Sequence, residues 1–393
     1  MIKNWRLLAC LFALPALSLF SEEVEMKETT LETQETVQMS NKKAPAKMNG
    51  NQASQLPEEQ MIQSSSVITP SVAPHVIDGV DAYFTVDFIW WKSVLGGSEY
   101  AYTGVVDGIA GGSVPVGAST GEGRVQKQGF TFQPGFKVGL GANFDHDGWD
   151  LYAQYTNLIS QKETNDLEPS AGVGARTIPQ IMTNNAFADN VTLPLLDSDC
   201  KWKQSFSVID LELGRDYFIS RSLTLRPSAG LKTAWITEQS KINYAPVTTY
   251  SDAQQNSLTN SLLTYRQNMW GIGIRTALNA GWHFTKNWAM YNDFAFTALW
   301  SDFHIHQKQN LTGTTFGQQT TVHTHESLQT VIPVLEAGLG FSYITWWDCS
   351  RYRFEFRAGW EEQIWLDFNH YMTLGGTGNL SLHGLTLKAM VNF

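Results

Sequence analysis

The stretch LSLHGLTLKAMVNF, residues 380–393, decides the fold of this chain. Alternate residues from Leu385 to Phe393 are apolar, and the residues between them, from Gly384 to Asn392, are mostly small or polar. Successive side chains of a strand point to opposite faces, so this segment predicts a strand with one apolar face. A last strand of this kind that ends on an aromatic residue is typical of outer-membrane barrels, where it pairs with the first strand.

Composition supports a large β-protein and excludes two other classes. Of 393 residues, 16 % are charged and 12 % aromatic, with 32 Gly and 14 Trp, which suits many strands and turns. A net charge of -10 argues against nucleic-acid binding, which needs clustered Lys and Arg. Beyond the amino terminus, no apolar run approaches the ~18 residues of a membrane-spanning helix. A transmembrane β-barrel is not excluded, because only alternate residues of its strands face lipid.

The amino terminus predicts export. Lys3 and Arg6 precede an apolar run over 7–20 that is followed by small residues, so residues 1–21 read as a signal peptide. A short anchor helix is the alternative, but the run is too short to span a membrane. Residues 22–78 are polar and nearly free of aromatics, which predicts a disordered periplasmic leader. The barrel would then occupy residues 79–393.

Ten segments of alternating apolar and polar residues follow residue 81. They lie at 84–90, 136–144, 149–156, 209–213, 223–232, 270–283, 288–300, 335–342, 353–360 and 384–393. Short turns at 145–148, 219–222, 285–287 and 346–350 alternate with long polar stretches at 93–128, 159–203, 239–267, 306–326 and 367–379.

This alternation predicts an all-β fold: a transmembrane antiparallel up-and-down β-barrel with an even strand number. We count ten strands, and the segment 159–203 leaves room for more, up to about 16. Tight turns on one rim would place both termini on the periplasmic side of the bacterial outer membrane. A secreted β-sandwich shares the two-residue period but gives no reason for loop lengths to alternate.

Tryptophan spacing provides a second signal. Trp270 and Trp282 are twelve residues apart, as are Trp288 and Trp300, which corresponds to a rise of roughly 30 Å on tilted strands. Core tryptophans of a soluble fold are the alternative for any one of them. We predict two membrane-interface girdles, built from Trp90, Trp149, Trp270, Trp282, Trp288, Trp300, Trp346 and Trp347 and extended by Trp235 and Trp365.

Several turn and strand motifs resemble one family. FQPGFKVGLG at 132–141 followed by DGWDLY at 147–152, DLELGRDY at 210–217, LTLRP at 223–227 and FTKNW at 284–288 are similar to the pore-forming major outer-membrane proteins of the Legionella and environmental-chlamydial type. The resemblance covers residues 82–393. It implies an abundant outer-membrane channel. Chlamydial relatives are cysteine-rich and cross-linked, whereas this chain keeps two cysteines after Cys10 leaves with the signal peptide.

The polar face of the strands is where function should lie. A wall of both charge signs holds water and selects ions, although the same charges could instead pair in a closed interior, and ten strands give a narrow bore. The predicted inward, pore-lining residues are Lys137, Arg226, Lys232, Arg275, Arg353, Arg357, Lys388, Asp150, Asp210, Glu212, Asp293, Glu336 and Glu355.

No catalytic constellation is recognisable. The sequence has no G-x-S-x-G elbow, P-loop or Cys-x-x-Cys pair, so we expect neither enzymatic activity nor a cofactor. One metal hypothesis stands: His304 and His306 on one strand could face His323 and His325 on the next as a surface zinc or copper site. Exposed histidines at a strand end, or contacts with lipopolysaccharide phosphates, are the alternatives.

The predicted function is passive diffusion of small hydrophilic solutes and ions through an outer-membrane porin. The alternative is a structural or adhesive surface protein with a closed barrel and partner-binding extracellular loops. Expected partners are outer-membrane lipids, lipopolysaccharide and further copies of the chain, but not nucleic acid. Cys200 and Cys349 are predicted at opposite ends of the barrel, as unpaired thiols or as sites of an intermolecular disulfide.

Overall fold

A computed structural model describes residues 81–105, 123–144, 148–166, 175–179, 195–246, 258–313, 320–349, 351–370 and 378–393, and in these residues it contains strands and no helix. The predicted signal peptide and leader lie outside the described residues. The fourteen described strands are β1 Ala82–Leu95, β2 Glu99–Val105, β3 Gly123–Lys127, β4 Phe132–Asn143, β5 Trp149–Asp166, β6 Ala175–Pro179, β7 Leu195–Arg215, β8 Tyr217–Phe218, β9 Leu223–Pro246, β10 Leu258–His283, β11 Trp288–Gly313, β12 Thr320–Trp347, β13 Tyr352–Asn369 and β14 Gly378–Asn392.

Ten of these strands close into an antiparallel barrel. Around the ring the order is β1, β4, β5, β7, β9, β10, β11, β12, β13 and β14, and β14 pairs with β1. Phe84 lies opposite Val391, and the amide of Phe393 donates to the carbonyl of Ala82 at 3.0 Å. The predicted fold class and the closing role of the carboxyl-terminal strand are therefore confirmed.

The barrel has two unlike rims. The start of β1, the end of β14 and four short connections lie at one end of the barrel, which we call the turn rim. At the other end, the loop rim, β2 pairs with β3 and β6, and β6 joins the start of β7. The described residues of the predicted long loops at 159–203, 239–267 and 306–326 all lie in strands, because β5, β7 and β9 to β12 run on beyond the ten segments read from the sequence and β6 lies among them.

Alternation sorts the side chains as expected. In β1, Phe84, Val86 and Phe88 are exposed on the outer face, whereas Thr85 and Asp87 are buried inside. Eight of the ten predicted girdle tryptophans are also exposed, from Trp149 at 37 % to Trp347 at 64 %. They form one girdle near each rim, and in the loop-rim girdle the rings of Trp270 and Trp300 meet edge to face at 5.8 Å. The apolar band between the girdles is the surface that would face lipid.

Two tryptophans depart from the prediction because strand alternation turns them inward. Trp346 lines the interior at the turn rim, where the guanidinium of Arg353 lies 5.9 Å from its ring centre. Trp365 is fully buried inside the barrel near the loop rim. Both were assigned to a girdle because they lie near a strand end, but they occupy inward positions in the alternation of their strands.

The core of this protein sits inside the barrel beyond the loop-rim girdle. In β7 the inward positions change from Asp210 and Glu212 to Val208, Phe206 and Trp202, while Ser205 and Ser207 take the outer face. In the described part of the chain, 24 buried residues form this apolar plug: Ile89, Trp91, Leu95, Tyr100, Leu158, Cys200, Phe206, Val208, Ala234, Ile236, Ile242, Tyr244, Leu263, Tyr265, Met269, Leu299, Phe303, Ile305, Ile332, Val334, Trp365, Phe368, Leu380 and Leu382.

Candidate functional site: the barrel interior

All thirteen residues predicted to line a pore face the interior between the girdles. Twelve of them border one cavity, and Lys232 is fully buried in the wall network beside it. We call these inward charges the charged layer. Whether the layer lines a conducting pore stays a prediction, because facing inward and conducting are different properties.

Arginine pairs tie the wall of the charged layer together. Arg226 donates from Nε and Nη2 to the two carboxylate oxygens of Asp150 at 2.9 and 2.6 Å, and from Nη1 to Glu212 at 3.2 Å. Arg275 bonds the same Glu212 and also Glu336, the latter at 3.1 Å. Planar guanidinium groups satisfy two carboxylates at once, so the five strands β5, β7, β9, β10 and β12 are linked through their side chains.

Lys232 is the most enclosed charge of the layer. Its side chain has no exposed surface, and Nζ lies 2.6 Å from Asp210 and 2.8 Å from Glu336. A buried ammonium is tolerated only when carboxylates compensate it, since desolvation of an unpaired charge costs several kcal/mol. Lys232 therefore neutralises carboxylates of the wall, and its ammonium group is not accessible to a solute in the cavity.

The remaining charges stand on the other side of the interior. Glu355 accepts from Arg353 at 2.7 Å and from Arg357 at 2.5 Å. Lys388 reaches the hydroxyl of Tyr152 at 3.3 Å and lies over its ring. Asp293 accepts from the amide of Asn279 at 2.7 Å. Apart from Glu355, which has two, these groups have fewer ionic partners than Lys232 or Arg275.

Three residues of the interior were missed by the sequence reasoning. Glu361 pairs with Lys137 at 2.5 Å, and it lies one residue beyond the point where the predicted strand stopped. Tyr83 and Tyr152 stack at 5.6 Å across the inner wall above Gly139 and Gly141. A side chain at either glycine would run into these rings, so the glycines make room for the stacked pair. Continuing the alternation past Trp360 would have found Glu361.

A cavity of about 450 Å³ occupies the charged layer. Its lining reaches from Asn392 and Trp346 near the turn rim to Gln363 and Thr386 below the plug. With charges of both signs on its wall, it can hold water and small polar or ionic solutes.

The apolar plug reaches across the lumen above this cavity. Phe206 of β7 and Trp365 of β13 meet edge to face with ring centres 5.7 Å apart. These two strands are five places apart in a ring of ten, which makes them diametrically opposite. Side chains from opposite walls therefore touch at the centre of the barrel.

A bulge in β13 supplies part of the plug. Asp367 has a φ of 51°, and the register with β14 shifts between Trp365 and Asn369. A left-handed residue of this kind breaks the two-residue alternation. As a result Trp365 and Phe368, three residues apart, both point inward, and Phe368 packs on Phe303 at 5.8 Å.

A carboxyl group is buried within the plug. Glu238 lies three residues beyond Trp235 of the loop-rim girdle, outside the apolar band, and has no exposed surface. Gln204 donates to its Oε1 at 2.9 Å, whereas Oε2 has no hydrogen-bond partner among the described residues. Desolvation raises the pKa of Glu238 to about 8, although the bond from Gln204 opposes that shift.

The four histidines lie on the outer wall beyond the girdle. His306 is the cross-strand partner of His325, and its ring is stacked 6.3 Å from that of His323. His304 is 3.9 Å from Asp302. Within the described ranges, no group of three or more His, Cys, Asp or Glu side chains is placed to hold a metal ion, so the zinc or copper hypothesis gains no support here.

The two cysteines lie at opposite rims. Cys200 belongs to the plug and is buried, while Cys349 is exposed in the turn between β12 and β13. A bond between them within one barrel has no geometric basis. An intermolecular disulfide stays a prediction, and exposure favours Cys349 over Cys200 for it.

An exposed apolar band, two aromatic girdles and a charged interior define an outer-membrane β-barrel protein. In the part of the chain that is described, no helix has the length and hydropathy needed to cross a membrane. The family model described as Legionella pneumophila major outer membrane protein precursor matches residues 76–393. The chain belongs to this Legionella major outer membrane protein family, which confirms the resemblance seen in its motifs.

Comparisons with curated sequences and solved structures add little to the family assignment. No curated protein sequence matches the chain. Among solved structures, the outer membrane protease OmpT from Escherichia coli is 9 % identical, with 83 % of this chain and 99 % of that chain covered and a TM-score of 0.38. The toluene transporter TodX of P. putida is 11 % identical, with 80 % and 89 % covered and a TM-score of 0.26. Likenesses this weak carry no argument about function.

Proposed function

We propose that this chain is a structural surface protein of the outer membrane whose barrel is closed at rest. The contact between Phe206 and Trp365 across the full diameter of the lumen carries this proposal. An aqueous channel typically needs about 16 strands, and a barrel of ten fills with side chains. The proposal includes no catalytic role.

The charged layer supports the same reading. Its central charges are paired within the wall, and Lys232 has no exposed surface. Such a layer stabilises a closed interior, while the wall of β7 and β9 to β12 extends beyond the girdle and presents a polar outer surface. We infer that this surface and the loop rim face outward and contact partners, and that the turn rim with both termini is periplasmic.

A porin for small hydrophilic solutes is the second candidate. It is favoured by the cavity of about 450 Å³ with charges of both signs, which provides a wet compartment through much of the apolar band. For that function the plug would have to move. The two candidates thus differ in one property, the conductance of the folded barrel.

Planar-bilayer recording of the folded protein tests the proposal. We expect no ohmic steps from the wild type, and steps from a Phe206→Ala/Trp365→Ala variant, whose truncation removes the contact across the lumen. Trp270→Ala is the matched control, because it removes an aromatic ring from the outer face. Heat-modifiable mobility on a gel verifies that each variant is folded. Regular ohmic steps from the wild type would overturn the closed barrel and establish the porin.

A further inference from the structure

A basic patch lies on the outer wall directly beyond the loop-rim girdle. One row of cross-strand partners runs from Lys203 through Gln239, Arg266 and His306 to His325. The next row, two residues further from the girdle, carries its lysines on β7, β9 and β11. Its members are Lys201, Lys241, Thr264, Lys308 and His323.

The dimensions of the patch follow from strand geometry. Five adjacent strands with a spacing of about 4.8 Å make each row about 19 Å wide, and the two rows are about 7 Å apart. All five cations and the three histidines of the rows are exposed. Such a surface can contact more than one phosphate group at a time.

Acidic side chains only partly offset the patch. Lys201 pairs with Glu163 of β5 at 2.8 Å, which satisfies the cation at one end of its row. On the outer face of β7 and β9 to β12 beyond the girdle, the described acidic residues are Asp199, which accepts from Asn243 at 3.1 Å, and Asp302 near His304. Lys203, Lys241, Arg266 and Lys308 therefore keep their charge available to a ligand in solvent.

The patch is confined to one side of the barrel. On β13, β14 and β1, the described outward side chains beyond the girdle include a single Lys or Arg, Lys92, together with Glu362. The whole chain carries a net charge of -10, so the clustering of five cations on four neighbouring strands runs against its average composition. A general need for solubility would not concentrate them there.

We propose that the basic patch binds the phosphate groups of lipopolysaccharide in the outer leaflet. Phosphorylated headgroups lie next to the aromatic girdle of a barrel, where Trp270 and Trp300 mark the edge of the apolar band. Arg266 can bond phosphate oxygens in pairs and the lysines add point charges around it. The inference rests on the proposed outward orientation of the loop rim, and it does not depend on whether the barrel conducts.

Binding of deep-rough lipopolysaccharide to the folded full barrel in detergent tests the proposal. In the test variant, Lys203, Lys241, Arg266 and Lys308 are each changed to Gln. We expect its affinity to fall by about tenfold or more, because each basic residue near an anionic surface contributes to the attraction. Exposed side chains are replaced, so the barrel should stay folded, which heat-modifiable gel mobility verifies.

A control variant of equal net charge changes Lys92, Arg221, Lys286 and Arg351 to Gln, at the opposite wall and the turn rim. We expect it to bind like the wild type, and dephosphorylated lipopolysaccharide to bind the wild type as weakly as the test variant binds the native lipid. Equal affinity of the test variant and the wild type overturns the proposal. So does complete competition by inorganic phosphate at low excess, which would mean capture of free anions. Bilayer recording is read separately, so failure of this proposal is distinct from failure of the closed barrel.

Discussion

Removing the buried charge of Glu238 should stabilise the protein in a pH-dependent way. Its pKa is about 8 in the folded state against 4.5 ordinarily, so the folded state binds the proton more tightly than the unfolded state does. The stability of the wild type therefore falls as pH rises from 4.5 to about 8 and is level above that. Each pKa unit corresponds to about 1.4 kcal/mol. Relative to its value below pH ~4.5, the free energy of unfolding is therefore lower by about 3 kcal/mol at pH ~7 and by about 5 kcal/mol at pH ~9.

Glu238→Gln removes this titration and keeps an acceptor for the amide of Gln204. Urea unfolding of the barrel in lipid vesicles, followed by tryptophan fluorescence at about pH 5, 7 and 9, measures the difference in free energy of unfolding. We expect the substitution to raise the free energy of unfolding only slightly at pH ~5, more at pH ~7 and most at pH ~9. Glu326→Gln, at an exposed position, is the control and should change nothing. A gain that is the same at all three pH values would refute the reasoning.

Two further predictions concern the interior and the rims. Lys232→Met removes the ammonium that Asp210 and Glu336 share and leaves Arg275 as their only described cation, so the free energy of unfolding should drop by about 3 to 5 kcal/mol in the same assay; a loss below 1 kcal/mol would contradict the pairing. In purified folded protein, maleimide should modify Cys349 and spare Cys200 until the barrel is unfolded, as read by peptide mass mapping. Membrane-impermeant maleimide should leave Cys349 unmodified on intact cells, and rapid labelling there would reverse the proposed orientation.

Lipid-facing features were predictable from the sequence because lipid imposes a strict rule. Phe84 and Val391 meet at the seam, and the charged residues from Lys137 to Lys388 face inward, as the two-residue period requires. The rule fails beyond the girdle, where water lies outside and the apolar residues move inside. Phe206 keeps the inward parity of Asp210, so the reversal was present in the sequence, but a search for strands with apolar outer faces stops at the girdle.

Other features depend on the backbone and lie beyond any periodic pattern. The φ of Asp367 places both Trp365 and Phe368 inside, and nothing in the alternation of β13 predicts that shift. Pairing partners such as Glu361 for Lys137 belong to strands far apart in the sequence. Their identity follows only once the ring of strands and its register are known.

The seam between β1 and β14 has a consequence for assembly. Its register spans Tyr83 to Leu95, about half the length of the register of β10 with β11 from Leu258 to His283. No turn joins these two strands, and parting them breaks about half as many backbone hydrogen bonds as parting β10 from β11, so a half-inserted sheet would stay open longest at this point. Insertion into the bilayer would thus finish when β14 pairs with β1, after the long strands have already paired with one another.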